Sequence, residues 1–272
     1  VPEGPEIRRA ADRIGEVLEG QRVEAVFFAF PELKPWEAHL TGQRVRRVQP
    51  RGKALLIRFA NGLTMYSHNQ LYGRWFIRDR DVTPATRRQL RAALHTATRS
   101  ALLYSASEVA VLPDADLPQH PYLARLGLDP LDDETTPRMI RRRLEDRRFA
   151  RRGLGALLLD QGFLSGIGNY LRSEILYDAR VAPERRPVDL DASERLALAR
   201  AAITITRRAY RLRGVTIEPA RARRLAAAGR KRREYRHDAF GRAGEPCRRC
   251  GDTIVRTTVA GRRLYRCPGC QV

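Results

Sequence analysis

Four cysteines fall within the last 26 residues, as Cys247-x2-Cys250 and Cys267-x2-Cys270 with sixteen residues between the pairs. Two CxxC pairs at this separation suit a tetrahedral four-thiolate zinc site, each pair clamping the ion from a tight knuckle. Pro246, Gly251, Pro268 and Gly269 supply the turn residues that such knuckles need. Residues 253–258 and 263–266 read as two short strands of a hairpin that turns near Ala260-Gly261. The alternative is a pair of disulfides. Glu3 and Glu6, however, stand where a secretion signal would be basic and then apolar, so reduced thiols are expected. One structural Zn2+ follows, with no position open for a reactive water and no cysteine left over for catalysis.

Two further local patterns could bind an anion. Ser165-Gly166-Ile167-Gly168-Asn169 joins two apolar-periodic stretches, and its glycines allow a tight reversal that leaves backbone N–H groups at the start of the second helix. Read alone, it is an ordinary turn of a helical hairpin. Lys53, one of three lysines, follows Pro50-Arg51-Gly52, a turn that would set it at a hairpin tip, where a lysine is ordinarily just solvated. His68 and Asp160 read as structural.

The elements that must carry these groups are legible as periodicities. Ile7, Ala10, Ala11, Ile14, Val17 and Leu18 form an apolar stripe of a helix over 5–18, started by Pro5 and stopped by Gly20. From 22 to 112 the runs shorten to strands at 23–30, 44–48, 54–59, 63–67, 75–79 and 101–105, with Asn61-Gly62 as a hairpin turn. A sandwich or barrel is implied. The stretch 127–137 reads as a linker, after which helical periods occupy 138–148, 153–164, 169–179 and 191–212. A basic, alanine-rich segment from Arg221 to Arg233 precedes the cysteines. The expected fold class is α+β multidomain, with an N-terminal helix and β-sandwich (1–128), a helical domain (129–236) and a zinc ribbon (237–272). Apolar residues make up 43% of the 272, enough for a packed core, and no apolar run nears the ~18 residues of a membrane span. The formal charge of +21, carried by 49 arginines and three lysines, points to a polyanion such as nucleic acid.

The opening Pro2-Glu3-Gly4-Pro5-Glu6, taken with the glycine-rich joint and the C-terminal cysteines, resembles the formamidopyrimidine-DNA glycosylase and endonuclease VIII family. Matching stretches at 2–11, 28–35, 51–55, 66–73, 157–175 and 244–271 spread the resemblance over the whole chain. Pro-Glu-Gly-Pro-Glu and Ser-His-Asn-Gln-Leu-Tyr-Gly look like the endonuclease VIII branch, which acts on oxidised pyrimidines. The purine branch usually opens Pro-Glu-Leu-Pro-Glu.

The resemblance implies a bifunctional DNA glycosylase and AP lyase of base excision repair, with a helix–two-turn–helix motif in the helical domain. The amine of Pro2 would attack C1′ of the damaged nucleotide, expel the base and form a Schiff base, and β,δ-elimination would follow. An amide nitrogen cannot do this, so Val1 is expected to be a GTG start translated literally and removed in the cell. Glu3 would be the general acid/base, and Glu6 a supporting residue of the pocket. Lys53 would donate a proton and contact phosphate, and Arg262 would grip the backbone and assist elimination. Gln70, Leu71 and Tyr72 would fill the hole left by the flipped nucleotide, and Asn169 would hold the flanking phosphates. Without the resemblance, Leu71 and Tyr72 would read equally well as core residues. Two other functions are weighed: an oxidised-purine glycosylase with the same mechanism, and a zinc protein that binds damaged DNA without cutting it. Damaged double-stranded DNA is the expected partner of a monomeric, cytoplasmic, nucleoid-associated bacterial protein, with no membrane involved.

Overall fold

The computed structural model describes residues 2–272, so the expected removal of Val1 lies outside the described residues. Contacts group the chain into two units, Pro2 with Glu6–Arg125 and Glu3–Pro5 with Leu126–Val272. The division therefore passes through the N-terminal pentapeptide itself. Among the described residues no helix is long and apolar enough to cross a membrane.

The first unit is a β-sandwich. Helix α1 (Gly4–Leu18) buries Ile7, Ala11, Ile14 and Leu18, the stripe its sequence spacing predicts. The strands are β1 (Ala25–Phe28), β2 (Val45–Arg51), β3 (Ala54–Phe59), β4 (Leu63–His68), β5 (Arg74–Asp79), β6 (Leu90–His95), β7 (Arg99–Tyr104) and β8 (Glu108–Pro113), with a short helix α2 (Lys34–Leu40) after β1. They pair antiparallel in two four-stranded sheets, ordered β1-β6-β7-β5 and β2-β3-β4-β8. Phe28, Trp75, Leu94 and Leu103 from one sheet share a core with Val45, Ile57, Met65 and Val111 from the other. Strands β6 and β8 have no counterpart in the sequence reading. The Leu-Arg-Ala-Ala-Leu-His run of β6 has weak strand propensity, and it is extended because β1 and β7 flank it on both sides.

The second unit is helical, comprising α3 (Pro137–Glu145), α4 (Leu154–Leu157), α5 (Asn169–Ala179), α6 (Ala192–Arg211), α7 (Pro219–Ala227) and α8 (Arg232–Tyr235), with a hairpin of β9 (Val255–Val259) and β10 (Arg262–Arg266). Caps set the starts: Thr136 accepts from the Met139 N–H, and Asp191 and Glu194 form a capping box on α6. The helix expected over 153–164 is one turn long. Asp160 accepts the Gly162 N–H at 2.8 Å, diverting the backbone into the turns that lead to α5. The apolar period persists past that point because Phe163, Leu164 and Ile167 still face the core.

Helix α5 is the axis of this unit. All eight residues from 170 to 177 are buried, including Arg172, Ser173 and Glu174. Glu174 accepts from the Thr216 hydroxyl (2.6 Å) and from the N–H groups of Asp238, Ala239 and Phe240 (2.9, 2.8 and 2.8 Å), tying the loops on either side of α7 and α8 to one carboxylate. The basic excursion between them has no buried residue in either helix and is closed at its base by Thr216 N–H donating to the Arg236 carbonyl, 2.9 Å.

His237 lies at this base, stacked on Tyr170 with ring centroids 5.2 Å apart and Nδ1 3.0 Å from the Thr216 hydroxyl. Burial pushes its imidazole down to about 3, so the folded ring stays neutral where an unfolded histidine takes up a proton. The contribution to stability is complete above an unfolded pKa of about 6.5 and is lost as pH falls towards 3, amounting to about 2 kcal/mol by pH 5. His237→Asn is expected to flatten that part of the stability profile in urea denaturation at about pH 7.5 and about pH 5. An unchanged slope would contradict a buried neutral ring.

Candidate functional site

The start of α5 shows where the N-terminal acid goes. Its N-cap residue is Gly168, which has no side chain to cap with. Glu3, only 3% exposed, supplies the cap from far away in sequence. One carboxylate oxygen accepts from the N–H groups of Gly168 (2.8 Å) and Leu171 (3.2 Å), the other from that of Tyr170 (2.9 Å). The helix dipole and three donors together hold a carboxylate there. A Cβ on Gly168 would stand 2.4 Å from the Glu3 carboxyl carbon, which is why this position is glycine. The Gly4 N–H donates to the Gly166 carbonyl at 2.8 Å and fixes the same approach. These helix-start N–H groups, expected from the glycines to face a phosphate, are thus engaged by the protein's own anion.

Asn169 follows immediately, and its Oδ1 accepts from Arg172 at 3.3 Å, which turns the amide NH2 away from that guanidinium. Arg172 is fully buried and donates to the carbonyls of Gly155 (2.7 Å), Val259 (3.3 Å), Arg262 (3.3 Å) and Arg263 (3.0 Å). Burial pushes its guanidinium down to about 10, with Glu3 opposing that shift, and it remains charged at neutral pH. Arg262 opens β10 directly after Ala260 and Gly261, whose φ angles of 52° and 69° make the tight hairpin turn. One buried guanidinium therefore links the side-chain carbonyl of Asn169 to the backbone of Arg262. Sequence reading missed Arg172 and Glu174. The available signal was a helix with no polar face, in which a charge has nowhere to go but inward.

The four cysteine sulfurs lie within 4.8 Å of one another, with Cys247–Cys270 at 3.7 Å and Cys250–Cys267 at 3.4 Å. None is disulfide-bonded. Tetrahedral Zn–S bonds of about 2.3 Å place sulfurs about 3.8 Å apart, so the donor set and its spacing fit a four-thiolate ion. Gln271 braces the second knuckle, accepting from Cys267 N–H (2.8 Å) and donating to the Val181 carbonyl (3.1 Å).

In the first unit, Pro2 and Glu6 line one cavity of about 570 Å³ together with Asn69, Gly73, Arg74 and Trp75. Lys53 occupies the two-residue turn between β2 and β3, with Gly52 at φ 60°, and its N–H donates to the Tyr122 hydroxyl at 2.8 Å. It is not part of that cavity's lining. His68 sits beside Tyr122 and 3.6 Å from Glu108, and burial, with Lys53 adding to it, pushes its pKa down. Gln70, at φ 45°, starts a tight loop whose Gly73 N–H returns to the Asn69 carbonyl at 2.8 Å. Leu71 and Tyr72 project from it 62% and 67% exposed, against the alternative that would bury them in the core, and Arg88 donates to the Tyr72 carbonyl from below.

Comparison with known proteins agrees along the whole chain. Residues 1–107 match the formamidopyrimidine-DNA glycosylase N-terminal domain, 126–220 the formamidopyrimidine-DNA glycosylase H2TH domain, and 244–272 a zinc finger found in FPG and IleRS. Proteins described as endonuclease 8 from Escherichia coli (strain K12 / DH10B) and Klebsiella pneumoniae are 46% and 45% identical over 271 residues, covering 100% of both chains in each pair. Among solved structures, MutM in complex with carbocyclic 8-oxo-G-containing DNA aligns with a TM-score of 0.82 at 22% identity over 100% of both chains. Lactococcus lactis Fpg with an N7-benzyl-Fapy-dG-containing DNA aligns at 0.81 and 23% over 99% of each. These two likenesses establish the fold.

Gly168→Ala is expected to push Glu3 off the start of α5, destabilising the protein by about 1–3 kcal/mol as three buried donors lose an ideal acceptor. Gly153→Ala is the control, since its Cβ would meet nothing closer than 3.7 Å and its effect should be near zero. Thermal denaturation of both reads the difference, and equal effects would contradict the clamp.

Proposed function

The chain belongs to the formamidopyrimidine-DNA glycosylase and endonuclease VIII family and is a DNA glycosylase and AP lyase; from that premise we propose how its residues perform the reaction and on which bases. The observation that carries the reading is Pro2 in the wall of a cavity that also receives Glu6, with Glu3 next to it in sequence held as a carboxylate.

With residue 1 removed, the secondary amine of Pro2 attacks C1′ of the damaged nucleotide, and the bond to the base breaks. The attacking nitrogen must then lose its proton. Glu3 suits that task, because donors that favour its ionised form keep it ready to accept. The proton passes on to O4′ as the sugar opens and nitrogen and C1′ become an iminium. That cation acidifies C2′, and loss of its proton expels the 3′ phosphate; the conjugated iminium so formed acidifies C4′, and loss of that second proton expels the 5′ phosphate. Lys53, at its hairpin tip, contacts phosphate and donates a proton to a leaving group. The Asn169 NH2 and Arg262 guanidinium hold the backbone beside the lesion. Gln70, Leu71 and Tyr72 occupy the stack that the flipped nucleotide vacates, which offsets part of the few kcal/mol that flipping costs. The expected parts are a catalytic sandwich (1–128), a helical DNA-binding part (129–236) and the zinc hairpin (237–272). The four thiolates hold one structural Zn2+, which shapes the hairpin that carries Arg262 and takes no part in the chemistry.

Oxidised pyrimidines of the thymine glycol type are the proposed substrates, supported by the 46% identity to a protein called endonuclease 8 and by the Pro-Glu-Gly-Pro-Glu opening. Single-turnover assays on duplexes carrying thymine glycol or 8-oxoguanine should show faster strand cleavage of the first, with phosphate left at both ends of the gap. Faster cleavage of 8-oxoguanine would transfer the protein to the purine branch, and tight binding without cleavage would leave a DNA-binding zinc protein. If about six phosphates are neutralised, log affinity should fall with a slope of about −5 against log salt. Metal analysis is expected to give one zinc per chain, and removing it should abolish cleavage while leaving the sandwich folded.

A further inference from the structure

The cavity that holds Pro2 contains polar groups that the steps above leave unused. Asn69 is 8% exposed, and its Oδ1 has no hydrogen-bond partner among the described residues. Trp75, 6% exposed, likewise leaves its indole Nε1–H unpaired. Both line the cavity with Pro2, Glu6 and Arg74. Each of these two lining residues thus carries a buried polar atom without a partner among the described residues, a group that the polar edge of a guest can satisfy.

The loop is built to keep Asn69 there. Gly73 N–H closes onto the Asn69 carbonyl at 2.8 Å, and a Cβ on Gly73 would stand 2.6 Å from the Asn69 Cα. Gln70, at positive φ, then turns the chain, so that Leu71 and Tyr72 face solvent while the side chain before them stays buried. One turn sends the wedge outward and keeps an amide inward.

We propose that Asn69 is a base-recognition residue, its Oδ1 accepting a hydrogen bond from a ring N–H of the extruded base. This rests on the glycosylase reading and specifies what the site reads. The chemistry of the guest follows from the sign of the unpaired group. Within a DNA strand, phosphates and deoxyribose ether oxygens offer only acceptors, so they cannot satisfy Oδ1, and a base N–H can. An oxidised pyrimidine with an imide edge carries an N–H flanked by carbonyls. It therefore supplies a donor for Asn69 and an acceptor of the kind Trp75 lacks.

Asn69→Leu removes the acceptor while keeping the branched heavy-atom skeleton, whereas Asn69→Asp keeps one. Each is compared with the wild type on a thymine glycol duplex and on the same duplex with an abasic site, after thermal denaturation has confirmed folding. Asn69→Leu should slow base excision about 10- to 100-fold while strand cleavage at the abasic site changes by less than about twofold. Asn69→Asp should excise faster than Asn69→Leu. Equal losses on both substrates would reduce Asn69 to a residue that shapes the loop, and unchanged excision by Asn69→Leu would remove it from base recognition; either overturns the proposal. A wild type that fails to cleave even the abasic duplex would instead overturn the lyase reading beneath it.

Discussion

A carboxylate at the start of a buried helix organises this protein. Helix α5 begins at a residue without a side chain, so its first N–H groups need an acceptor from elsewhere, and Glu3 provides it. Three charge-assisted hydrogen bonds fix one residue of the N-terminal segment against this helix start. One peptide bond separates that residue from Pro2, the proposed nucleophile. Reaction at a flexible chain end would be slow because the amine must first be oriented; tying its neighbour to a rigid helix removes much of that entropic cost. The same hydrogen bonds favour the ionised form of Glu3, the state from which its proposed proton transfer starts.

The remaining buried charges of α5 extend this logic. Arg172 spends its donors on carbonyls of the β9–β10 hairpin and on Asn169, and Glu174 gathers the loops at 216 and 238–240. Each charge meets several partners, which is the condition under which burying it is tolerable. The result is that Asn169 and Arg262, the two proposed backbone grips of this unit, are held by a common guanidinium. The thiolate cluster secures the far end of the same hairpin, with the Tyr177 hydroxyl from α5 3.3 Å from the Cys247 sulfur. The proposed metal, which touches no substrate, would thereby bear directly on where an arginine stands.

What could be read from the residues was whatever depends on local spacing. The cysteine pairs, the stripe of α1, the hairpin tip at Lys53 and the bounds of α5 are all set by neighbours in sequence, and the fold class followed from them. Helix 153–164 was overextended because apolar periodicity records burial, and the turns after Asp160 are as buried as a helix would be. Arg172 and Glu174 were legible only through the missing polar face of α5, and Asn69 was not legible as a buried group, since nothing near it in sequence marks it as one. Leu71 and Tyr72 show the converse, being apolar residues whose exposure no composition rule would suggest. The helix start at 168–169, which read alone is an ordinary turn whose glycines leave N–H groups open to an anion, holds an internal one, the Glu3 carboxylate.

The central claim is that the Pro2 nitrogen forms the covalent bond to the sugar. Protein produced from its native start should be mixed with an abasic duplex and reduced with borohydride, and the cross-linked peptide should then be sequenced by mass spectrometry. The account predicts a sugar adduct on Pro2 as the first residue of the chain. An adduct on Lys53, or a Pro2 that still carries a residue before it in active protein, would contradict it.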